Sequence, residues 1–372
     1  MKAECEIRIF ASDGTFLGIV DNAESVQLTR RHRGPGHFSL KIQADKGGAA
    51  SFCGTDHRLV IGGSPEKTVL VRDWEYERTE EGRTLVVRGV TPSGLAARRI
   101  VVPPTEAEKP GSMGWERASG TGETLLRFFA AWHMAAPRDA KRTFPHFQLE
   151  PARGLDGESF HWQSRFEPLD RVLEQIAERA DLGWRVDYDM VMKEFTFCVV
   201  PGETRTLGSE GPVLFGMELD NVGRTLFREC HIGGYSTAYA GGEGQDEGRL
   251  IQVVDAQAEG FAREERFLDV GGAATVEELL LAARKQMAGR SESRTILCEK
   301  LREHPFRFEK EYFLGDKITF SLPEIPVLAD VRLTEVTEVW EGTGKRVDMV
   351  FGPPEPNLLT ALRGREERSP VR

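Results

Sequence analysis

"YAGGEGQDEGR", residues 239–249, sets glycines at 241, 242, 244 and 248, close to the spacing that cradles the phosphates of a dinucleotide. Its reading decides the fold: a phosphate loop demands a parallel α/β sheet, whereas a hairpin tip demands antiparallel strands. A phosphate loop also needs a helix opening directly after it, so that backbone amides and the helix dipole meet the anion. The segment that follows, "RLIQVVD" (249–255), reads as a strand. Glu243, Asp246 and Glu247 would oppose a phosphate with like charge, and no GKS or GKT element is present. The stretch is therefore an acidic hairpin tip, expected to be solvated or ordered by a partner, and its deletion from Gly241 to Gly248 should leave the fold intact. "SGTGETLL" (119–126) also lacks a lysine and reads as the flexible entry to a capped helix.

Outward from the tip, the sequence gives three segments and a tail. In 213–355, "TLFREC" (225–230) and "RLIQVV" (249–254) flank the glycine loop as strands. Thr275 and Glu278 form a capping box that opens a helix with Val276, Leu280, Ala283 and Met287 inward. "EYFLGDKITF" and "VRLTEVTEVWEGTGKRVDMVFG" complete a second barrel-like domain with a helical insertion, with Val347, Met349 and Phe351 on one strand face. Residues 356–372 are a charged tail.

Residues 1–100 read as an N-terminal β-barrel-like domain. Ile7 and Ile9 face Leu17 and Ile19 across Asp13-Gly14. Val26 and Leu28, then Phe38, Leu40 and Ile42, alternate with polar residues, and a further hairpin sets Trp74 and Tyr76 opposite Leu85 and Val87. Residues 101–212 form an α+β middle domain that opens on the linker "VVPPTEAEKPGS" (101–112). Thr121 caps a helix whose face carries Leu125, Phe128, Phe129 and Trp132. A second helix has Pro168 in its first turn, a stripe of Leu169, Val172, Leu173, Ile176 and Ala180, and Gly183 as terminator; strands "WRVDYD" and "EFTFCVV" follow. The fold class is strand-rich α+β: two β-barrel-like domains with α+β insertions.

Composition narrows the function. At 372 residues, 40% hydrophobic and 29% charged, the chain is folded, and no apolar run reaches membrane-spanning length. Its first twenty residues lack the pattern of a secretory signal, so synthesis in a cytoplasm is expected. A net charge of −10 disfavours gripping nucleic acid. Cys5, Cys53, Cys198, Cys230 and Cys298 are scattered without a CxxC pair and read as reduced, mostly buried thiols. No HExxH or zinc spacing occurs, and His32 and His37, bracketing "RGPG", read as solvated turn residues rather than metal ligands. Glu174 and Glu178 lie one helical turn apart, yet Arg171 and Arg179 on the same helix explain them as surface ion pairs. No catalytic, cofactor or metal residue is nominated, and no enzymatic activity is expected.

The ordered set "GETLLRFF" (122–129), "WQSRFEPLDRVLEQIAERADLGWRVDYD" (162–189), "YAGGEGQDEGR", "EKEYFLGDKITF" (309–320) and "VRLTEVTEVW" (331–340) resembles the tail-hub proteins of siphovirus-type bacteriophages and prophages, relatives of baseplate hubs. The resemblance implies a homotrimer whose six barrel-like domains form a ring continuing the tail tube, with Leu314 to Phe320 as the strand entry of the second barrel. It further implies a virion tail-tip protein that meets the tail tube, distal tail, tape-measure and tip or fibre proteins. DNA would pass through the ring without specific binding, and there would be no cofactor and no stable membrane insertion. Many such hubs extend further at the C-terminus with receptor-binding or lytic modules; here those activities are expected of other proteins. Two other classes fit the composition: an envelope-degrading glycan or peptide hydrolase on β-domains, and a non-hub baseplate adaptor.

Overall fold

The computed structural model describes residues 5–352 apart from 81, 106–113, 231–234, 245, 256, 271–272, 274, 289–292, 301–305, 326 and 343. The expected tail, 356–372, and the latter part of the 101–112 linker lie outside the described residues.

The first segment is built of strands, as its alternation requires. β1 (Ile7–Phe10) and β2 (Phe16–Val20) form the expected hairpin. Its turn is tied by Ala11 N donating to Thr15 O and by Thr15 N donating to Asp13 Oδ1, both 2.8 Å, with Gly14 at φ +82°. The register sets Ile7 opposite Val20 and Ile9 opposite Gly18, so Leu17 and Ile19 face outward rather than toward Ile7 and Ile9. A one-residue offset across a turn moves a whole side-chain set to the other face, and this turn makes that offset. β3 (Ser25–Arg31), β4 (His37–Gln43), β5 (Arg58–Ile61), β6 (Thr68–Arg78) and β7 (Arg83–Val90) follow. Trp74 stands opposite Val87 and Tyr76 opposite Leu85, as the alternation predicts. Each strand sends a side chain such as Ile7, Val20, Val26, Leu40, Leu59, Val69 or Val87 into one core, and each contributes about 1.5–3 kcal/mol by leaving water.

The middle segment packs two helices on a small sheet. β8 (Glu116–Gly120) precedes α1 (Gly122–Ala130), which Thr121 caps by accepting from Thr124 N at 3.4 Å. Leu125 and Phe129 are buried, but Trp132 is 40% exposed. Beyond Ala130 the helix widens into a π-turn, Ala131–Ala135, and wider turns rotate residue 132 off the apolar stripe. After β9 (Phe147–Leu149) and β10 (Phe160–Ser164), α2 (Leu169–Arg179) buries Leu169, Val172, Leu173 and Ile176. Pro168 sits just outside the helix, as its N-cap. The chain leaves α2 at Asp181, which takes φ +53°, and not at Gly183, which opens β11 (Gly183–Asp189). β11 pairs with β12 (Glu194–Val200), and Trp184 stacks on Phe197 at 5.8 Å in the shared core.

The last segment contains β13 (Thr204–Arg205), β14 (Leu214–Gly216), β15 (Val222–Cys230), β16 (Thr237–Gly241), β17 (Ile251–Asp255), β18 (Glu265–Asp269), α3 (Val276–Ala288), β19 (Ser293–Lys300), β20 (Lys317–Leu322), β21 (Val327–Glu341) and β22 (Gly344–Phe351). "TLFREC" lies in β15, but β15 pairs with β19; the strand leading into the glycine loop is β16. The loop is a hairpin tip, closed by Gly242 N to Leu250 O at 2.8 Å and Leu250 N to Glu243 O at 2.9 Å. Its first glycines are nevertheless buried: a Cβ on Gly242 would lie 2.6 Å from Ala273 O. Deletion from Gly241 would therefore remove the last residue of β16 together with the tip. Thr275 caps α3 through Glu278 N at 3.2 Å, and Leu279 and Ala283 point inward while Val276 is exposed. β20 begins at Lys317, later than the expected Leu314.

β21 joins the ends of the chain. Up to Arg332 it pairs with β20; past an irregularity between Leu333 and Glu335 it pairs with β22 on one side and, from Glu335 to Glu341, with β3 on the other. The result is a 14-stranded sheet whose main path runs β15-β19-β22-β21-β3-β4-β7-β6-β5-β1-β2, with β20 and its parallel neighbours β13 and β14 off that path. The strand-rich character is as expected. The expected barrels are not closed: no sheet closes on itself among the described residues, because β3 and β21 hydrogen-bond to each other and β2 and β15 stand at opposite ends.

Candidate functional site

The densest concentration of polar chemistry lies where the three segments meet. Just after β3, His32 N donates to Thr334 O at 2.9 Å and His32 O accepts from Trp184 N at 3.0 Å, which ties β3, β21 and β11 together. The imidazole is 2% exposed. A Cβ on Gly183 or Gly315 would come within 2.2 or 2.4 Å of that ring, so both glycines are required by close approach. Burial first, then the Arg33 and Arg332 charges, push the His32 pKa down to about 3 and hold the ring neutral. His32 is thus not the solvated turn residue expected; His37 is exposed as expected, but it opens strand β4 rather than lying in the turn. The local sequence gives a polar loop, and only the distant glycines reveal that it is covered.

Beside it runs a charge network. Glu338 on β21 is fully buried and pairs with Arg30 at 2.9 Å, Lys67 at 3.0 Å and Lys345 at 2.5 Å. Arg30 also reaches Glu309 and Glu66, and Arg185 bridges Glu66 at 2.7 Å and Asp187 at 2.9 Å. Burial pushes the Glu338 carboxyl up, but Arg30, Lys67 and Lys345 together outweigh it and hold it below the usual range. Asp181 makes a second tie, to Arg33 at 3.0 Å, Arg332 at 2.5 Å and Lys317 at 3.6 Å. A cavity of about 240 Å³ lies between these groups, lined by His32, Arg185, Val186, Val200, Pro201 and Phe313 among others. Its lining arginines and carboxylates are all ion-paired, with one another or with residues behind them, an arrangement suited to fixing the segments in place. No group of His, Cys, Asp or Glu among the described residues is placed to hold a metal ion.

The other residues singled out in the sequence are structural. Gly122 of "SGTGETLL" lets α1 approach α2, since a Cβ there would lie 2.1 Å from Ala180 Cβ. Glu123 turns its carboxylate to Arg153 N and Leu155 N at 2.6 and 2.7 Å, pinning the loop that passes over α1. Burial raises both Glu174 and Glu178, opposed by Arg171 in the first case and by Arg33 in the second. Arg179 lies over the Phe160 ring at 4.2 Å, so one of the two cations expected to serve these acids from the same helix packs elsewhere. Cys5, Cys198 and Cys298 are buried and Cys53 is exposed.

Two groups of exposed apolar residues lie on strands of the first segment. β2, at one end of the long sheet, shows Phe16, Leu17 and Ile19, 53%, 40% and 55% exposed. Trp74 and Tyr76 are exposed on the part of β6 that extends past its pairing with β5. Sequence alternation marked these residues as apolar but placed Leu17 and Ile19 in the core.

This architecture is that of phage tail proteins. Solved structures of similar fold include the tail protein from Neisseria meningitidis MC58, 13% identical with a TM-score of 0.56, covering 94% of this chain and 96% of that one. The 43 kDa tail protein of prophage MuSo2 from Shewanella oneidensis is 12% identical with a TM-score of 0.57, over 93% and 98% of the two chains. Prophage tail protein gp18 from Listeria monocytogenes EGD-e is 11% identical with a TM-score of 0.54, over 97% and 98%. No curated protein sequence matches the chain. The chain belongs to the family described as Siphovirus ReqiPepy6 Gp37-like protein, whose profile matches residues 6–353.

Proposed function

We propose that the chain is the hub of a siphovirus-type tail tip: three copies close into a ring that continues the tail tube and leaves a channel for DNA. The ring joins the distal tail protein above to tip or fibre proteins below, around the path of the tape-measure protein. Its role is architectural and non-enzymatic. The observation that carries this reading is the open sheet with an apolar end strand. A lone monomer that shows Phe16, Leu17 and Ile19 along a strand edge unpaired among the described residues is prone to indiscriminate pairing, and closure around an axis would remove that edge from solvent. The net charge of −10 per copy supports the channel, because an acidic lumen lets DNA slide rather than adhere. The fold shared with phage and prophage tail proteins supports the placement.

Native mass spectrometry and negative-stain microscopy of the chain, alone and mixed with its tail tube and distal tail proteins, test the proposal. A three-copy mass and a ring with a central hole are expected. A chain that stays monomeric even with both partners present would overturn it, as would a strongly basic lumen for the channel.

A further inference from the structure

The small sheet β17-β16-β18 presents a face that the described residues leave open. Its other face is a core: Ala238, Ala240 and Leu268 pack with Leu279 and Ala283 of α3. On the open face the register aligns one row across all three strands, with Tyr239 opposite Val253 on one side and Phe267 on the other. These residues are 36%, 46% and 52% exposed, and Ile251 beside them is 42% exposed. An outward sheet face is ordinarily polar, so a contiguous apolar row there marks a contact surface.

The row is also held in place. Phe267 lies against Gly241, where a Cβ would be 2.6 Å from the ring, so glycine is what allows the aromatic to sit flat on the sheet. The Arg249 guanidinium covers the same ring at 5.3 Å and is itself fixed to Asp269 and to the carbonyl oxygens of Gly241 and Gly242. Rigid aromatics of this kind lose little freedom on binding, which is the character of an interface anchor.

Charge selects the occupant. Residues 235–288 hold ten acidic and five basic side chains, so half of the chain's net charge of −10 falls on this unit. Asp255, Glu265 and Asp269 border the row, with Arg263 spanning the first two at 2.8 and 2.6 Å, and Glu243, Asp246 and Glu247 extend from the hairpin tip. Two copies meeting through this face would each bring this unit's excess of acids over bases, ten against five, and DNA would be repelled. We propose that the face docks a different protein of the tail, through a surface of apolar side chains bordered by lysine and arginine. The proposal rests on the chain's being a tail component and stands whether or not three copies form a ring.

The test is photo-crosslinking in assembled particles that carry the full chain with Tyr239→p-benzoylphenylalanine, with the same substitution at exposed Val191 as a control. Irradiation is expected to join residue 239 to a peptide of another tail protein that carries Lys or Arg beside apolar residues. Adding Val253→Glu should lower that yield about tenfold, the loss typical of a central interface position. Circular dichroism of the isolated variant checks that this exposed substitution leaves the fold intact; a folded variant that fails to enter particles counts as support. Crosslinks only to other copies of this chain, to an acidic peptide, or to nothing while position 191 reacts, overturn the proposal. Absence of a ring by native mass spectrometry leaves this outcome unaffected, which separates the two readings.

Discussion

Replacing Glu338 probes the junction most directly. The carboxylate is fully buried and is the common partner of Arg30, whose side chain is 6% exposed, and Lys67, whose side chain is 11% exposed. In Glu338→Leu both cations stay buried with one carboxylate fewer. Breaking a buried pair from one side costs about 3–5 kcal/mol, and the low end applies here because Glu309 still pairs with both cations. Lys345, 42% exposed, contributes little. The variant should therefore lose about 3 kcal/mol, or roughly 4 °C in Tm for a chain of this size. Urea unfolding followed by the fluorescence of the six tryptophans, among them Trp340, buried two positions along β21, reads the loss. Adding Arg30→Met should restore at least about 1 kcal/mol, since an apolar replacement of both partners removes the stranded charge. Because the Glu338 carboxyl is held low in the folded chain, its contribution is present above the ordinary carboxylate range and fades as pH falls through its folded pKa. A Glu338→Leu chain within about 1 kcal/mol of the parent at neutral pH, or a double variant with purely additive losses, refutes the reasoning.

Gly183→Ala should destabilise by about 2 kcal/mol or more because its Cβ would meet the His32 ring and the His32 carbonyl, whereas Gly157→Ala, with open space around it, should be neutral; thermal melts compare the two. The folded His32 titrates near 3 against an ordinary value of 6.5, so between those limits the unfolded chain binds one more proton and stability falls as acid is added. In His32→Asn the slope of unfolding free energy with pH should shrink by up to about 1.4 kcal/mol per pH unit in that window, while buried His133 keeps its own share. Alkylation of the native chain followed by mass spectrometry should label Cys53 before Cys5, Cys198 and Cys298, whose thiols burial both shields and pushes up.

Much of the local structure was legible because its signals are local. Alternation located β3, β4 and the β6–β7 hairpin with its cross-strand pairs, and Thr121 and Thr275 marked helix starts through a hydroxyl reaching an amide three residues on. The glycine tip was recognisable as a hairpin because the segment after it reads as a strand and acids line it. The errors fell where a neighbour in space overrode the local pattern. Leu17 and Ile19 followed the turn's register, Trp132 followed the π-turn, and Gly183 answered to a histidine far away in the chain.

The sequence by itself determined the strand-rich class, the two well-patterned helices of the middle segment and an acidic surface ill-suited to gripping nucleic acid. Only the tertiary structure decided that β3 pairs with β21, that no sheet closes among the described residues, that His32 is covered and that Glu338 holds Arg30 and Lys67. Propensity, period and capping act within a few residues along the chain, whereas edge pairing, steric exclusion and burial of charge depend on partners as distant as Arg30 and Glu338. No local pattern can encode those.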